Sequence, residues 1–156
     1  MTTRRQVLLA AAGALAAGPA RAELPPNIAA LREAALKEAV RKVSGGAQVK
    51  AGRVKLDIAP LIDNGNTVPV TVTVESPMSA ADHVKTIQLF TEKNPQPFVL
   101  AAHLGPRAGR AQVSTRARIA DSGTVIALAQ MSDGSFWSDS VKVVVTVSGC
   151  LEDGPT

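Results

Sequence analysis

The hydrophobic pattern of this chain changes period once, and the change separates a helical region from a β region. From Ile28 to about Val43, apolar residues recur at Ile28, Leu31, Ala35, Ala39, Val40 and Val43, close to the 3.6-residue repeat. Lys37, Glu38, Arg41 and Lys42 populate the opposite face. Pro25-Pro26-Asn27 reads as a stop followed by an N-cap. Ser44-Gly45-Gly46 reads as the end, since glycine readily takes the left-handed cap conformation. The pattern predicts an amphipathic helix, within residues 23–46, packed on a β domain rather than lying on a membrane.

After Gly52 the period becomes two. Val54 to Ile58 alternates briefly, and Ile62-Asp63-Asn64-Gly65-Asn66 reads as a turn around its Asn-Gly pair. Val68, Val70, Val72 and Val74 alternate with Pro69, Thr71 and Thr73, and Pro69 places the beginning of that strand at a sheet edge. Val84 to Phe90 and Phe98 to Leu104 form the next pair, separated by Glu92-Lys93-Asn94-Pro95-Gln96-Pro97. Ala111, Val113, Thr115, Ala117 and Ile119 then face one way, against Gln112, Ser114, Arg116 and Arg118. Val125 to Met131 is more continuously apolar, as an interior strand is. Ser132-Asp133-Gly134-Ser135 turns the chain, and Phe136-Trp137 leads into a last strand over Val141 to Val147. About seven short strands with Gly, Pro, Asn and Asp turns predict an all-β antiparallel sandwich over residues 52–147 with an N-terminal helix.

The first 22 residues are set apart. Thr3-Arg4-Arg5-Gln6-Val7-Leu8-Leu9 places two arginines before an apolar run, and Ala20-Arg21-Ala22 supplies the small residues of a cleavage site. Residues 1–22 therefore read as an export signal of the twin-arginine type, and the protein as periplasmic. The apolar run is too short for a membrane-spanning helix, which needs about 20 residues. Removal of the signal takes away Arg4, Arg5 and Arg21, so 17 Lys+Arg become 14 against 13 Asp+Glu. The mature chain is then near neutrality. With no tyrosine and one tryptophan there is no base-stacking platform, so nucleic acid is not expected as a partner.

Cys150 is the only cysteine, beyond the last strand in Ser148-Gly149-Cys150. A lone thiol in an oxidising compartment reacts or pairs with another molecule. Residues 148–156 read as a C-terminal arm that Gly149 makes flexible, with Cys150 as a reversible attachment point for sulfur species. His83, His103, Met78 and Met131 show no metal-binding spacing, and no metal or cofactor is expected. Nucleophile-elbow, phosphate-loop and dinucleotide motifs are absent, and a thiol on a loose end lacks a fixed oxyanion site, so the chain does not read as an enzyme. Arg107, Arg110, Arg116 and Arg118 form a locally basic stretch, either a solvated face or a docking surface for an acidic partner.

Several ordered motifs bring these readings together: Asp63-Asn64-Gly65-Asn66-Thr67-Val68-Pro69-Val70, Ser76-Pro77-Met78, Glu92-Lys93-Asn94-Pro95, Val113-Ser114-Thr115-Arg116, and Met131-Ser132-Asp133-Gly134-Ser135-Phe136-Trp137. From about Leu56 to Cys150 the chain resembles the SoxY family of thiosulfate-oxidation carriers. The resemblance implies an immunoglobulin-like sandwich that pairs with a SoxZ-like subunit. It implies that Cys150 holds sulfur intermediates, as cysteine S-thiosulfonate and related adducts, for periplasmic SoxAX, SoxB and SoxCD. One feature departs from the family, which usually ends Gly-Gly-Cys-Gly-Gly: here Leu151-Glu152-Asp153 follows the cysteine. The added negative charge is expected to raise the thiol pKa and repel anionic sulfur substrates. A paralogue with another partner or cargo, and a structural sandwich whose Cys150 only forms an intermolecular disulfide, are the alternative readings.

Overall fold

The structure, a computed structural model, describes residues 27–147. The export signal of residues 1–22, the Pro25-Pro26 stop, Gly149 and Cys150 lie outside the described residues. Helix α1 spans Ile28–Ser44 and ends at Gly45, whose φ of 60° is the left-handed cap that favours glycine. Asn27 occupies the N-cap position, but its side chain makes no capping bond; only its carbonyl receives the Leu31 N–H, at 3.0 Å.

Nine strands follow: β1 Val49–Ala51, β2 Val54–Asp57, β3 Leu61–Asn64, β4 Val68–Val74, β5 Val84–Thr91, β6 Phe98–His103, β7 Gln112–Ala117, β8 Gly123–Met131 and β9 Phe136–Val147. They form two sheets. The larger has the order β1-β9-β8-β5-β6 with β3 also on β9, and the smaller has the order β2-β4-β7. Over the described residues the chain is thus an all-β sandwich with one helix, with two strands more than the seven expected. The additions are β1 and β3, and both pair with β9 in parallel, so the larger sheet is mixed. The last strand also starts five residues earlier than its valine run, at Phe136.

The valine alternation of β4 does what period two requires: Val68, Val70, Val72 and Val74 are all buried. Its register with β2 stops at Thr71↔Asp57, so Pro69 faces only Arg116 of β7. The missing proline N–H therefore costs no ladder bond on the β2 side. Ile87 and Leu89 of β5, with Ala127 and Ala129 of β8, meet those valines in the core between the sheets. A cross-sheet hydrogen bond fixes the edge, where the Leu56 N–H donates to the Asp139 carboxylate at 2.8 Å.

The outer face of the larger sheet carries a second, smaller cluster. Leu36 of α1 packs there with Phe90, Leu128 and Phe136, flanked by Ala39, Val40, Val43, Val49 and Ile126. Of the stripe that the spacing suggested, Ala39, Val40 and Val43 do pack here, while its first half does not, and Leu36 joins from outside it. Leu36 is the buried apolar residue of α1, whereas Leu31 is 59% exposed and Ala35 is exposed too. The short side of the amphipathic stripe, not its first half, meets the sheet.

Candidate functional site: the root of the C-terminal arm

Cys150 lies three residues past Val147, so the end of β9 is the described part of the chain nearest to it in sequence. That place is held from both sides. On one side β3 runs parallel to β9, with Leu61↔Val144, Ile62↔Val145 and Asn64↔Val147 in register. The Val144 N–H donates to the Pro60 carbonyl at 2.8 Å, and the Gly65 N–H donates to the Val147 carbonyl at 3.0 Å. The Thr146 hydroxyl reaches the carbonyl oxygens of Ile62 and Asp63, at 3.3 and 3.0 Å. On the other side the Val145 N–H donates to the Ser122 hydroxyl at 2.9 Å.

The turn beside this root is ordered by its own side chains. The Asn64 side-chain oxygen accepts the Asn66 N–H at 2.9 Å, a local side-chain mimic of a backbone turn. The Gly65 carbonyl accepts the Ile119 N–H at 2.7 Å, which ties the turn to the segment after β7. Asn94 then joins the two remaining loops at this end. Its amide donates to the Arg118 carbonyl at 2.9 Å, and its oxygen accepts the Ala120 N–H at 2.8 Å. Two of the sequence motifs, Asp63–Asn66 and Glu92–Pro95, are therefore parts of one rigid mount.

Glu92 is the charged residue built into that mount. Its carboxylate lies 2.8 Å from the Lys93 ammonium and accepts the Thr124 N–H at 3.0 Å. The hydrogen bond from Lys93 holds its pKa below the ordinary carboxylate value; burial opposes this, and the Thr124 bonds add to the lowering. Gly123 makes room for the pair. A Cβ there would meet Lys93 Cγ at 2.8 Å and Glu92 Cβ at 3.4 Å.

The surface around the root is unusually apolar for a strand end. Leu61, Val144 and Val147 are 60%, 56% and 60% exposed, and Leu61 sits directly beside Val144. Isolated exposed apolar side chains are ordinary, but these are neighbours at the end of the last described strand.

The other residues singled out by sequence do not join this end. Arg107 and Arg110 lie in the loop before β7, while Arg116 and Arg118 lie at its far end and beyond. From Gln112 to Arg116 the strand alone spans about 13 Å, so the two pairs lie toward opposite ends of β7. His83 belongs to the opposite end, where its Nδ1 lies 3.1 Å from the Ser79 carbonyl oxygen and its N–H donates to the Ser132 hydroxyl. His103 is exposed at the end of β6, opposite Thr86. Met131 is buried, and buried Met78 accepts the Val84 N–H on its sulfur at 3.5 Å, with a positive φ of 49°. Among the described residues, no group of three or more His, Cys, Asp or Glu side chains could hold a metal ion.

That opposite end also carries Trp137. Lys50 and Arg53 place their cationic groups 5.5 and 5.4 Å from its ring centroid, within cation–π range. Arg53 also lies 3.6 Å from Asp82. The Ser132–Trp137 motif is thus structural punctuation of the end remote from the arm. Sequence reasoning missed the pieces that mount the arm, Ser122 and Thr146 above all. A hydroxyl in a loop and one in a strand carry no signal until their partners are known.

A family model for the sulfur oxidation protein SoxY matches residues 40–150, most of the chain, and its last matched residue is Cys150. The chain belongs to the SoxY family. Among solved structures it is similar to the sulfur carrier protein SoxY from Chlorobium limicola f. thiosulfatophilum, with a TM-score of 0.63, 24% identity, and coverage of 76% of this chain and 98% of that one. It is also similar to the superoxide reductase (neelaredoxin) from Ignicoccus hospitalis, with a TM-score of 0.54, 18% identity, and coverage of 60% and 80%. The superoxide reductase from Nanoarchaeum equitans gives a TM-score of 0.51 at 13% identity, covering 62% of this chain and all of the other. These likenesses show a shared sandwich fold. No curated protein sequence matches the chain.

Proposed function

We propose that this SoxY-family protein is a carrier that holds sulfur intermediates covalently on Cys150 and has no active site of its own. The observation that carries the reading is the coincidence at the C-terminus. The family match ends on the one cysteine, and Val147, three residues before it, is hydrogen-bonded into the domain. Ser148, Gly149 and Cys150 give the thiol a reach of about 10 Å from a fixed mount. Such a short tether on a rigid base suits insertion into a cleft of another protein, with the sandwich as the handle.

Loading thiosulfate would form one S–S bond between the Cys150 sulfur and the outer sulfur of thiosulfate. The thiol loses its proton and two electrons pass to an external acceptor, the role of a heme-bearing SoxAX enzyme. SoxB and SoxCD would act on the held cargo. A SoxZ-like β-sandwich subunit would complete the carrier, and the Arg-Arg signal would deliver it to the periplasm by the twin-arginine route.

The test is intact-mass analysis of protein purified without reductant, before and after incubation with thiosulfate and the oxidising partner. A sulfur-containing mass increment on the wild type that is absent from Cys150→Ser supports the reading. A disulfide-linked dimer as the sole product, or an increment that persists in Cys150→Ser, overturns it.

A further inference from the structure

The larger sheet ends at β6, and among the described residues no strand pairs with the outer side of β6. Just past the strand, the Leu104 N–H donates to the Lys85 carbonyl at 2.8 Å. By alternation in the β5 register, the backbone groups of Ala102 and Leu100 then also point to β5. Those of Ala101 and His103, both exposed residues, point away from the sheet.

A free edge is a template for another strand, and charged residues or proline on it normally blunt that tendency. The other edges here carry such charges: Lys50 on β1, Lys55 and Asp57 on β2, Asp63 on β3 and Arg116 on β7. β6 reads Phe98-Val99-Leu100-Ala101-Ala102-His103, with no lysine, arginine, carboxylate or proline. Its one irregularity is at its start, where Leu89 faces Leu100 and Phe90 faces Phe98, so that Val99 is an extra residue. No residue of β6 is fully buried, and Phe98 stays 46% exposed although its ring packs edge-on against Phe90.

We propose that two copies of this chain meet along β6, paired antiparallel about a two-fold axis at Ala101. What satisfies a row of outward peptide N–H and C=O groups is another extended backbone. An antiparallel edge is its own complement under a two-fold rotation, so a second copy supplies that backbone with no further adaptation. Centring on Ala101 keeps residues 99–103 in the pairing and sets His103 of one copy opposite Val99 of the other. No like charges then face each other, and the small Ala101 side chain leaves room at the axis. Five residues a side is far fewer than the roughly 20–30 of a standard interface, so the dimer forms and parts readily. Three strand spacings, about 14 Å, separate β6 from β9, so the pairing leaves the end of β9 uncovered.

The test is sedimentation equilibrium of the chain from about 10 μM to about 1 mM, the range in which so small an interface associates. It is run in reductant, so a Cys150 disulfide plays no part and the outcome does not depend on whether Cys150 carries sulfur. The mean mass should rise toward that of a dimer with concentration. Ala101→Lys brings two ammonium groups together at the axis and should weaken association at least about ten-fold. Gln112→Lys adds the same charge on exposed β7 and should associate like wild type, which separates the edge from a general charge effect. Amide exchange gives a second reading on the unaltered chain: Ala101 and His103 should gain protection as concentration rises, while Leu100 and Ala102 should not. A wild type that stays monomeric at the highest concentration, a dimer that persists in Ala101→Lys, or a dimer that leaves Ala101 and His103 unprotected overturns the proposal.

Discussion

The N–H of Gly65 donates to the carbonyl oxygen of Val147 at 3.0 Å, and this bond closes the described chain three residues before Cys150. Gly65 is itself held by the Ile119 N–H, so the bond belongs to a chain of contacts that reaches the smaller sheet. The last described residue of β9 is therefore held by the body of the domain. Four predictions follow from this mount and from the packing that supports it.

Ser122 is the loop residue whose loss should loosen the root most selectively. Ser122→Ala leaves the Val145 N–H without its acceptor, next to a buried side chain. The expected loss of stability is about 1–2 kcal/mol. Amide exchange at Val145 should accelerate while that at Ile87, in the core, changes only by the global destabilisation. Unchanged exchange at Val145 would show that the hydroxyl does not hold the strand.

Leu36 and Leu31 should behave oppositely although both are leucines of one helix. Leu36→Ala empties the contact with Phe90, Leu128 and Phe136 and should cost about 2–4 kcal/mol in denaturant unfolding. Leu31→Ala, at an exposed site, should stay within about 0.5 kcal/mol. Equal effects would mean that α1 seats by its other face.

Glu92 should make stability fall in acid. Its pKa is lowered in the folded protein, so its contribution is complete above the unfolded carboxylate pKa and disappears as pH drops through the folded value. Glu92→Gln should therefore be less stable than wild type by about 1 kcal/mol at pH 7, after allowance for partial exposure. Thermal melts of the two proteins should converge once the pH is below the ordinary carboxylate range. A difference that persists there would point to packing rather than charge.

Gly52 should tolerate no side chain. Its φ of 133° lies outside the range that other residues adopt, and a Cβ would sit 3.4 Å from the Trp137 ring. Gly52→Ala should cost about 1–3 kcal/mol. Because Trp137 is the only tryptophan, a shift of the native fluorescence maximum reports directly whether the ring has moved.

The legible and illegible parts of this fold divide by the range of the interaction that decides them. β4 was readable because four valines alternate over seven residues and that pattern is local. The Gly45 stop of α1 was readable for the same reason. β3 was not: Asp63-Asn64-Gly65 is strong turn chemistry, and only pairing with Val144–Val147, some eighty residues away, makes its first part a strand. β1 is three residues long and shows no period. The helix face was half legible: Ala39, Val40 and Val43 pack as expected, but Leu36 was left out and Leu31 and Ala35 were included, because contact with Phe90 and Phe136 decides which side is buried. Of the site, Cys150 stood out as the lone cysteine, while the hydroxyls that mount its tether have ordinary sequence surroundings. The four arginines looked like one group because they are close in sequence, but a strand carries its two ends apart.

The position of β9 has a mechanical consequence. Its pairing changes along its length: with β8 it runs as far as Gly123↔Val143, and with β3 from Leu61↔Val144 to Asn64↔Val147. A pull on Val147 along the strand would load the β3 bonds in shear first and reach the β8 ladder only beyond Val143. Force applied there would therefore pass in two stages, from β3 into the body of the larger sheet.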